Sequence, residues 1–426
     1  MKRKSRAALQ FLTGTLIIAV AAGIATAAEV RKWTNLKGQT IEAKLLSVDA
    51  ETVNLELKNG SRASVPRKSL SAADQQYLTE YGGAKELEID PDAKISVPEK
   101  DMRFDPKTVV KRDDKFILPG EFSLEFKMIE SEHFFVMSSG SVRGGDTAEL
   151  AERLWYGMSF YHPGFKEKWG DKKRAIFLCG DKEDYLTLGE YYVRNLVLIG
   201  QGNAANNAKL TWPQTSGSGL RLSDEICDEY NLDPNARAFD ASDKTRFKRG
   251  VYNPFPSHCI AGDVLAEMMG GAGGGVGSDG YFAIKVGHSY FKEIQLAQET
   301  VTSMINADAY AGDEITRAGG FKDGRKWART LRDLVKKGKV TPTLANLYAV
   351  KNAGNLTPEL TVSMYGLSRY MQSTPARMQN FSKFLDRVDT SRAIPQPIEL
   401  AKIFGFDSVD AFEADWIEYL KSSDFK

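Results

Sequence analysis

The side chains that could hold a metal or move a proton at neutral pH are sparse. Four histidines (His133, His162, His258, His288) and three cysteines (Cys179, Cys227, Cys259) occur in 426 residues. His258 and Cys259 are adjacent, just after Pro256-Ser257, where a helix is predicted to begin and run to Met269. Residues i and i+4 share one helix face, so two imidazoles at that spacing converge on one ion. The position four residues after His258 is Gly262, which offers no ligand. Glu267 and Glu293 are helix carboxylates of the kind expected on a solvated face.

Gly275-Val276-Gly277-Ser278-Asp279-Gly280 fits a dinucleotide pattern by letter. A working fingerprint needs a strand to deliver the chain to the turn, and here a helix precedes it. The segment reads as a flexible loop. Neither a Gly-x-Ser-x-Gly elbow nor a cysteine-protease signature occurs.

The elements that would position these groups follow a distinctive N-terminus. Lys2, Arg3, Lys4 and Arg6 precede an uncharged run from Phe11 to Ala28 that closes on Ala25-Thr26-Ala27-Ala28. The pattern predicts a cleaved signal peptide, the alternative being an uncleaved membrane anchor, because the run falls short of the ~20 apolar residues that span a bilayer. The net charge of +1 provides no overall field to recruit nucleic acid or anionic lipid. Three cysteines are few for an exported chain, so the fold must rest on its core. A bridge between Cys227 and Cys259 stays open, with Cys179 read as a strand residue.

From Glu29 to Gly83, apolar residues alternate with polar ones at Ile41, Ala43, Leu45 and again at Val53, Leu55, Leu57. A period of two with one apolar face predicts half-buried strands. Asn59-Gly60 predicts a tight hairpin turn, Ala63 and Val65 continue the return strand, and Ser71 with Asp74 caps a short helix. The series Arg31-Lys32-Trp33-Thr34, Gly38, Ile41-Glu42-Ala43, Val53-Asn54-Leu55, Asn59-Gly60, Val65-Pro66, Ser69-Leu70-Ser71, Asp74-Gln75 resembles the Sla homology domain, first type. That resemblance implies an SH3-like barrel, which in fungal endocytic adaptors binds Asn-Pro-Phe-x-Asp peptides. Trp33 has two readings, one lining a peptide groove and one closing the barrel core. The internal Asn253-Pro254-Phe255-Pro256-Ser257 has Ser257 where that ligand needs Asp.

Residues 84–121 are polar and interrupted by prolines, which predicts a linker or an extended wrapping segment. Beyond them, Phe122 to Met128, His133 to Met137 and Ala175 to Cys179 read as strands. Asp146 with Glu149 predicts a helix start, and Thr357-Pro358 and Thr374-Pro375 each place a cap before a proline. Phe412, Trp416 and Leu420 share one face of the last helix.

Ser131-Glu132-His133-Phe134, Phe177-Leu178-Cys179-Gly180-Asp181, Asp184-Tyr185, Phe404-Gly405 and Trp416-Ile417-Glu418-Tyr419-Leu420 resemble the gluzincin, MA-like putative peptidases. Such enzymes hold zinc through a His-Glu-x-x-His helix and a later glutamate. The resemblance maps the first ligand onto His258, the catalytic glutamate onto Cys259 and the second histidine onto Gly262. It also maps the later glutamate onto Val286, close to His288. The zinc site therefore reads as lost, since a catalytic zinc needs three protein ligands, and His258, Cys259, Gly262, Val286 and His288 are expected to line a vestigial cleft. Cys259, His258 and His288 would converge on a rearranged metal site if the two helices face each other as in that family.

The expected fold is α+β: a signal peptide (1–28), a small SH3-like β-barrel (29–83), a linker (84–121) and a larger gluzincin-like α/β domain with a helical C-terminal half (122–426). The expected function is an exported, secreted or periplasmic, non-catalytic binding or scaffold protein. Its partner would be a peptide or another envelope protein, with no nucleic acid, no cofactor and no membrane span after signal cleavage. The alternative is an active zinc-dependent peptidase with a rearranged site.

Overall fold

The structure, a computed structural model, describes residues 30–48, 52–58, 62–81, 105–162, 164–244, 246–270, 279–298, 300 and 307–426. The predicted signal peptide, the Asn59-Gly60 turn, residues 82–104 of the linker and Gly275 to Ser278 lie outside the described residues.

Strands β1 (Arg31–Thr34), β2 (Thr40–Val48), β3 (Thr52–Leu57) and β4 (Arg62–Pro66) form an antiparallel sheet in that order. The register sets Trp33 opposite Ile41, Leu45 opposite Leu55 and Val53 opposite Val65. The alternation thus places one apolar face on a small core of its own, completed by Leu70 and Leu78. Helix α1 (Ala72–Tyr81) starts where Ser71 and Asp74 predict. The Ser71 hydroxyl accepts from the Asp74 amide at 3.2 Å and donates to its carboxylate at 2.8 Å. The same buried carboxylate accepts from the Thr34 amide at 2.8 Å and the Arg31 guanidinium at 2.7 Å, tying α1 to β1.

The second sheet has the order β5 (Val110–Ile117), β6 (Glu125–Glu130), β7 (Phe134–Ser138), β8 (Arg174–Cys179), β10 (Asn235–Asp240) and β9 (Gly217–Arg221). β7, β8 and β10 run parallel, and the remaining pairings are antiparallel. β5 falls in the stretch predicted as linker. Edge strands tolerate charge, so Lys111 to Lys115 mask an element whose Phe116 is fully buried. β7 and β8 are buried on both faces, as parallel strands are when helices cover both sides. Phe134, Val136, Ile176 and Leu178 point to one core and Phe135, Met137, Ala175 and Phe177 to the other.

Helices α2 (Gly145–Tyr161) and α3 (Phe165–Trp169) connect β7 to β8. Helices α4 (Lys182–Leu198), α5 (Gly202–Thr211) and α6 (Asp224–Tyr230) flank β9. Leu196 to Ile199, a short apolar run in the sequence, closes α4. After β10 the described chain is helical: α7 (Pro254–Met268), α8 (Tyr281–Ala297), α9 (Glu314–Arg317), α10 (Trp327–Lys336) and α11 (Leu344–Tyr348), then α12 (Pro358–Met371), α13 (Pro375–Ser391), α14 (Pro397–Ile403) and α15 (Val409–Lys421). Thr357 and Thr374 cap α12 and α13 through their side chains, each with proline at the first helical position. Phe412, Trp416 and Leu420 are fully buried on α15. No helix among the described residues is long and apolar enough to cross a membrane.

Candidate functional site

His258 sits one turn into α7 and Glu293 near the end of α8, and these two helices pack against each other. The His258 Nδ1 lies 2.9 Å from a Glu293 carboxylate oxygen, and Thr300 donates to the other oxygen. The Tyr290 ring closes on the imidazole edge-to-face at 4.5 Å. Glu293 has no solvent exposure. The expectation of a solvated Glu293 is corrected by this pairing, because a buried carboxylate persists only with partners. Glu267 is corrected likewise: it pairs with Arg174 of β8 and is nearly buried, and burial holds its carboxyl above the ordinary range.

One turn further along α7, Gly262 faces Ser289 and Lys285 of α8. A Cβ there would stand 2.8 Å from the Ser289 hydroxyl and 3.1 Å from the Lys285 side chain. A histidine at 262 therefore has no room without displacing both. The α8 residues facing His258 and Gly262 are Glu293 and Ser289, and Val286 is an ordinary core side chain.

Cys259, half-buried on α7, lies under the influence of the Arg237–Asp263 pair that ties β10 to α7 more than of Glu293. Burial pushes its thiol up to about 11, so it stays protonated and inert at neutral pH. Cys179, Cys227 and Cys259 are all free, and no bridge joins the last two.

His288 faces away from His258, into a polar chain inside the helical core. Ser382 Oγ lies 3.2 Å from His162 Nδ1, and His162 Nε2 lies 3.3 Å from Gln372 Oε1. The Gln372 amide in turn donates to His288 Nδ1 at 3.3 Å. This order of donors assigns a neutral tautomer to each ring, and burial lowers both, His162 to about 3 and His288 well below its ordinary value. The His288 Nε2 has no hydrogen-bond partner. Lys292, one turn on, is buried as well, and desolvation lowers it to about 7.

The structure therefore gathers His258 with Glu293, and His162 with Gln372 and His288, and does not bring His258, Cys259 and His288 to a common centre. His258 and Glu293 bring two ligand types together, and Gly262, crowded by Ser289 and Lys285, adds none. Among the described residues, no group of three His, Cys, Asp or Glu is placed to hold a metal ion. The Glu293 partnership escaped the sequence because nothing in the spacing of α8 says which residue meets α7.

Two adjoining cavities open above this region. One, of about 480 Å³, is lined by Asn253 and Pro254 at the start of α7 and Ala297 and Gln298 at the end of α8. The other, of about 400 Å³, lies between the loops that follow β7 and β10. Asn253 and Pro254 are buried within the fold, so the internal Asn-Pro-Phe triplet is an α7 start. Its Asn253 side chain accepts from the Lys248 amide at 2.8 Å and donates to the Lys248 carbonyl at 2.9 Å.

Two observations assign Trp33 to the core of its module. It is 1 % exposed, and its indole N–H donates to the Ala43 carbonyl at 3.0 Å. The groove reading is corrected accordingly, since the ring has spent both its apolar faces and its donor inside. Arg31, over Tyr77 at 3.6 Å, covers it from outside.

The ring of His133, at the entrance to β7, stacks on Trp155 at 3.4 Å. Its amide and Nδ1 both engage the buried Glu152, at 2.7 and 2.8 Å. That is an anchor between strand and α2.

No curated protein matches the chain, and no solved structure does. Over residues 23–86, which span the first sheet and α1, the chain is similar to the family described as SLA1 homology domain 1, SHD1.

Proposed function

We propose that this chain is an exported binding protein in which an SH3-like, protein-binding N-terminal module precedes an α/β domain descended from a gluzincin-type peptidase. The similarity to SLA1 homology domain 1 over residues 23–86 carries the protein-binding half of this reading. The peptidase-like half rests on the sequence resemblance, and the α7–α8 packing supports its lack of catalysis. In that packing a glycine stands where a second zinc histidine is needed, and Ser289 fills the space beside it. Both domains act as recognition surfaces for a peptide or an envelope protein.

The alternative, a zinc-dependent peptidase with a rearranged site, draws on one observation. His258 and Glu293 bring two zinc-ligand types together at 2.9 Å. A third protein ligand and a carboxylate to activate water would still be required.

A peptide-array screen tests the binding function. The mature chain and a version lacking residues 29–83 are each incubated with the array. A set of peptides retained only by the intact chain is expected. Identical retention by both would remove the N-terminal module from recognition.

A further inference from the structure

The parallel strands β7, β8 and β10 end on one edge of the second sheet, and ligands of open α/β sheets bind outside such carboxyl ends. There the loop after β7 and the loop after β10 enclose the cavity of about 400 Å³. Small-molecule sites have about this size. Four cationic residues line it (Arg143, Lys244, Lys248 and Arg249), against one carboxylate, Asp146. The local balance of 4 − 1 = +3 exceeds the +1 carried by the whole chain.

These cations are not engaged in the fold's own ion pairs. Lys244 donates to the Ala241 carbonyl at 3.0 Å. Arg143, Lys248 and Arg249 make no side-chain hydrogen bond or ion pair among the described residues. Elsewhere on the surface cations pair readily, as Arg246 does with the neighbouring Asp243 at 3.5 Å. The Asp146 carboxylate is itself occupied, accepting from the Gly250 amide at 2.8 Å and so holding one loop against the other. Asn253 fixes the backbone of Lys248 from both sides. The concavity is thus preformed, and its four cations share one rim with a single carboxylate, Asp146, that pairs with none of them.

We propose that this cavity binds a small, multiply charged oxyanion of the phosphate class, such as a pyrophosphate or a phosphate ester. Like charges gathered on fixed loops repel one another, and a bound dianion or trianion relieves that repulsion while accepting hydrogen bonds from lysine and arginine. The inference is independent of the peptidase resemblance, since its four cations lie on the loops after β7 and β10 and neither His258 nor Glu293 lines the cavity.

Calorimetric titration of the whole mature chain with sodium pyrophosphate tests it. One saturable site is expected, weakening with added salt because the cations are exposed. Lys248→Gln with Arg249→Gln should weaken binding by about tenfold or more. Arg143→Gln, on the opposite loop, should weaken it independently. Lys336→Gln with Lys337→Gln removes the same charge at the exposed C-terminal end of α10 and should leave binding unchanged, with circular dichroism reporting that each variant is folded. An absence of saturable heat, or equal weakening by the α10 pair, would overturn the assignment.

Discussion

His258 Nδ1 and the Glu293 carboxylate meet at 2.9 Å across the α7–α8 interface, with Thr300 on the second carboxylate oxygen. The pair spends the imidazole on holding two helices together. Replacing Glu293 with Ala strands a buried imidazole and is expected to destabilise the domain by about 3 kcal/mol. A double-mutant cycle with His258→Ala in urea unfolding should return a coupling above roughly 1 kcal/mol. Additive effects would mean that the contact carries no energy.

Gly287 lies where α8 crosses α12, and a Cβ there would collide with the Met364 backbone carbonyl. Alanine favours helix by about 1 kcal/mol over glycine, yet Gly287→Ala should destabilise by about 2–3 kcal/mol, because a backbone oxygen cannot rotate away as a side chain can. A raised thermal midpoint for this variant would contradict the close approach.

Lys292 carries a pH signature. Burial lowers it from its ordinary 10.5 to about 7. Between those values the unfolded chain binds a proton that the folded chain lacks, so stability rises with pH across this window and the penalty is complete below about 7. Lys292→Met should raise stability at neutral pH and flatten its pH dependence between 7 and 10.5. Tryptophan fluorescence in urea series at several pH values reads both effects. The buried His162 adds a separate acid limb: its stability contribution is present above 6.5 and falls away as pH drops toward about 3.

Trp33 fills the centre of a small core, where Trp→Ala changes cost about 3–5 kcal/mol. A module of this size has little more than that to lose. Trp33→Ala should therefore collapse the amide dispersion of residues 30–81 while leaving signals of the second sheet in place. A folded variant that only loses peptide binding would return Trp33 to a groove.

Strand alternation at Ile41 to Leu45 and Val53 to Leu57, the Ser71–Asp74 cap, the two Thr-Pro helix starts and the α15 stripe were legible in the sequence. Each is a local pattern with one physical reading. β10 was not, because Arg237 interrupts its apolar face and its reason lies across space in Asp263. β5 hid behind the charges of an edge. In the candidate site, the start of α7 just before His258 was legible from Pro254 and Pro256. The partner of His258 was not, since helix periodicity fixes which residues share a face but leaves open which face of a second helix they meet.

The proposal at the centre of this account, a peptidase-like domain without zinc chemistry, is tested most directly by elemental analysis of the purified protein alongside a peptidase assay. The account predicts substoichiometric zinc, unchanged by His258→Ala, and no chelator-sensitive cleavage of peptides. Stoichiometric zinc that disappears in His258→Ala, together with chelator-sensitive peptidase activity, would contradict it.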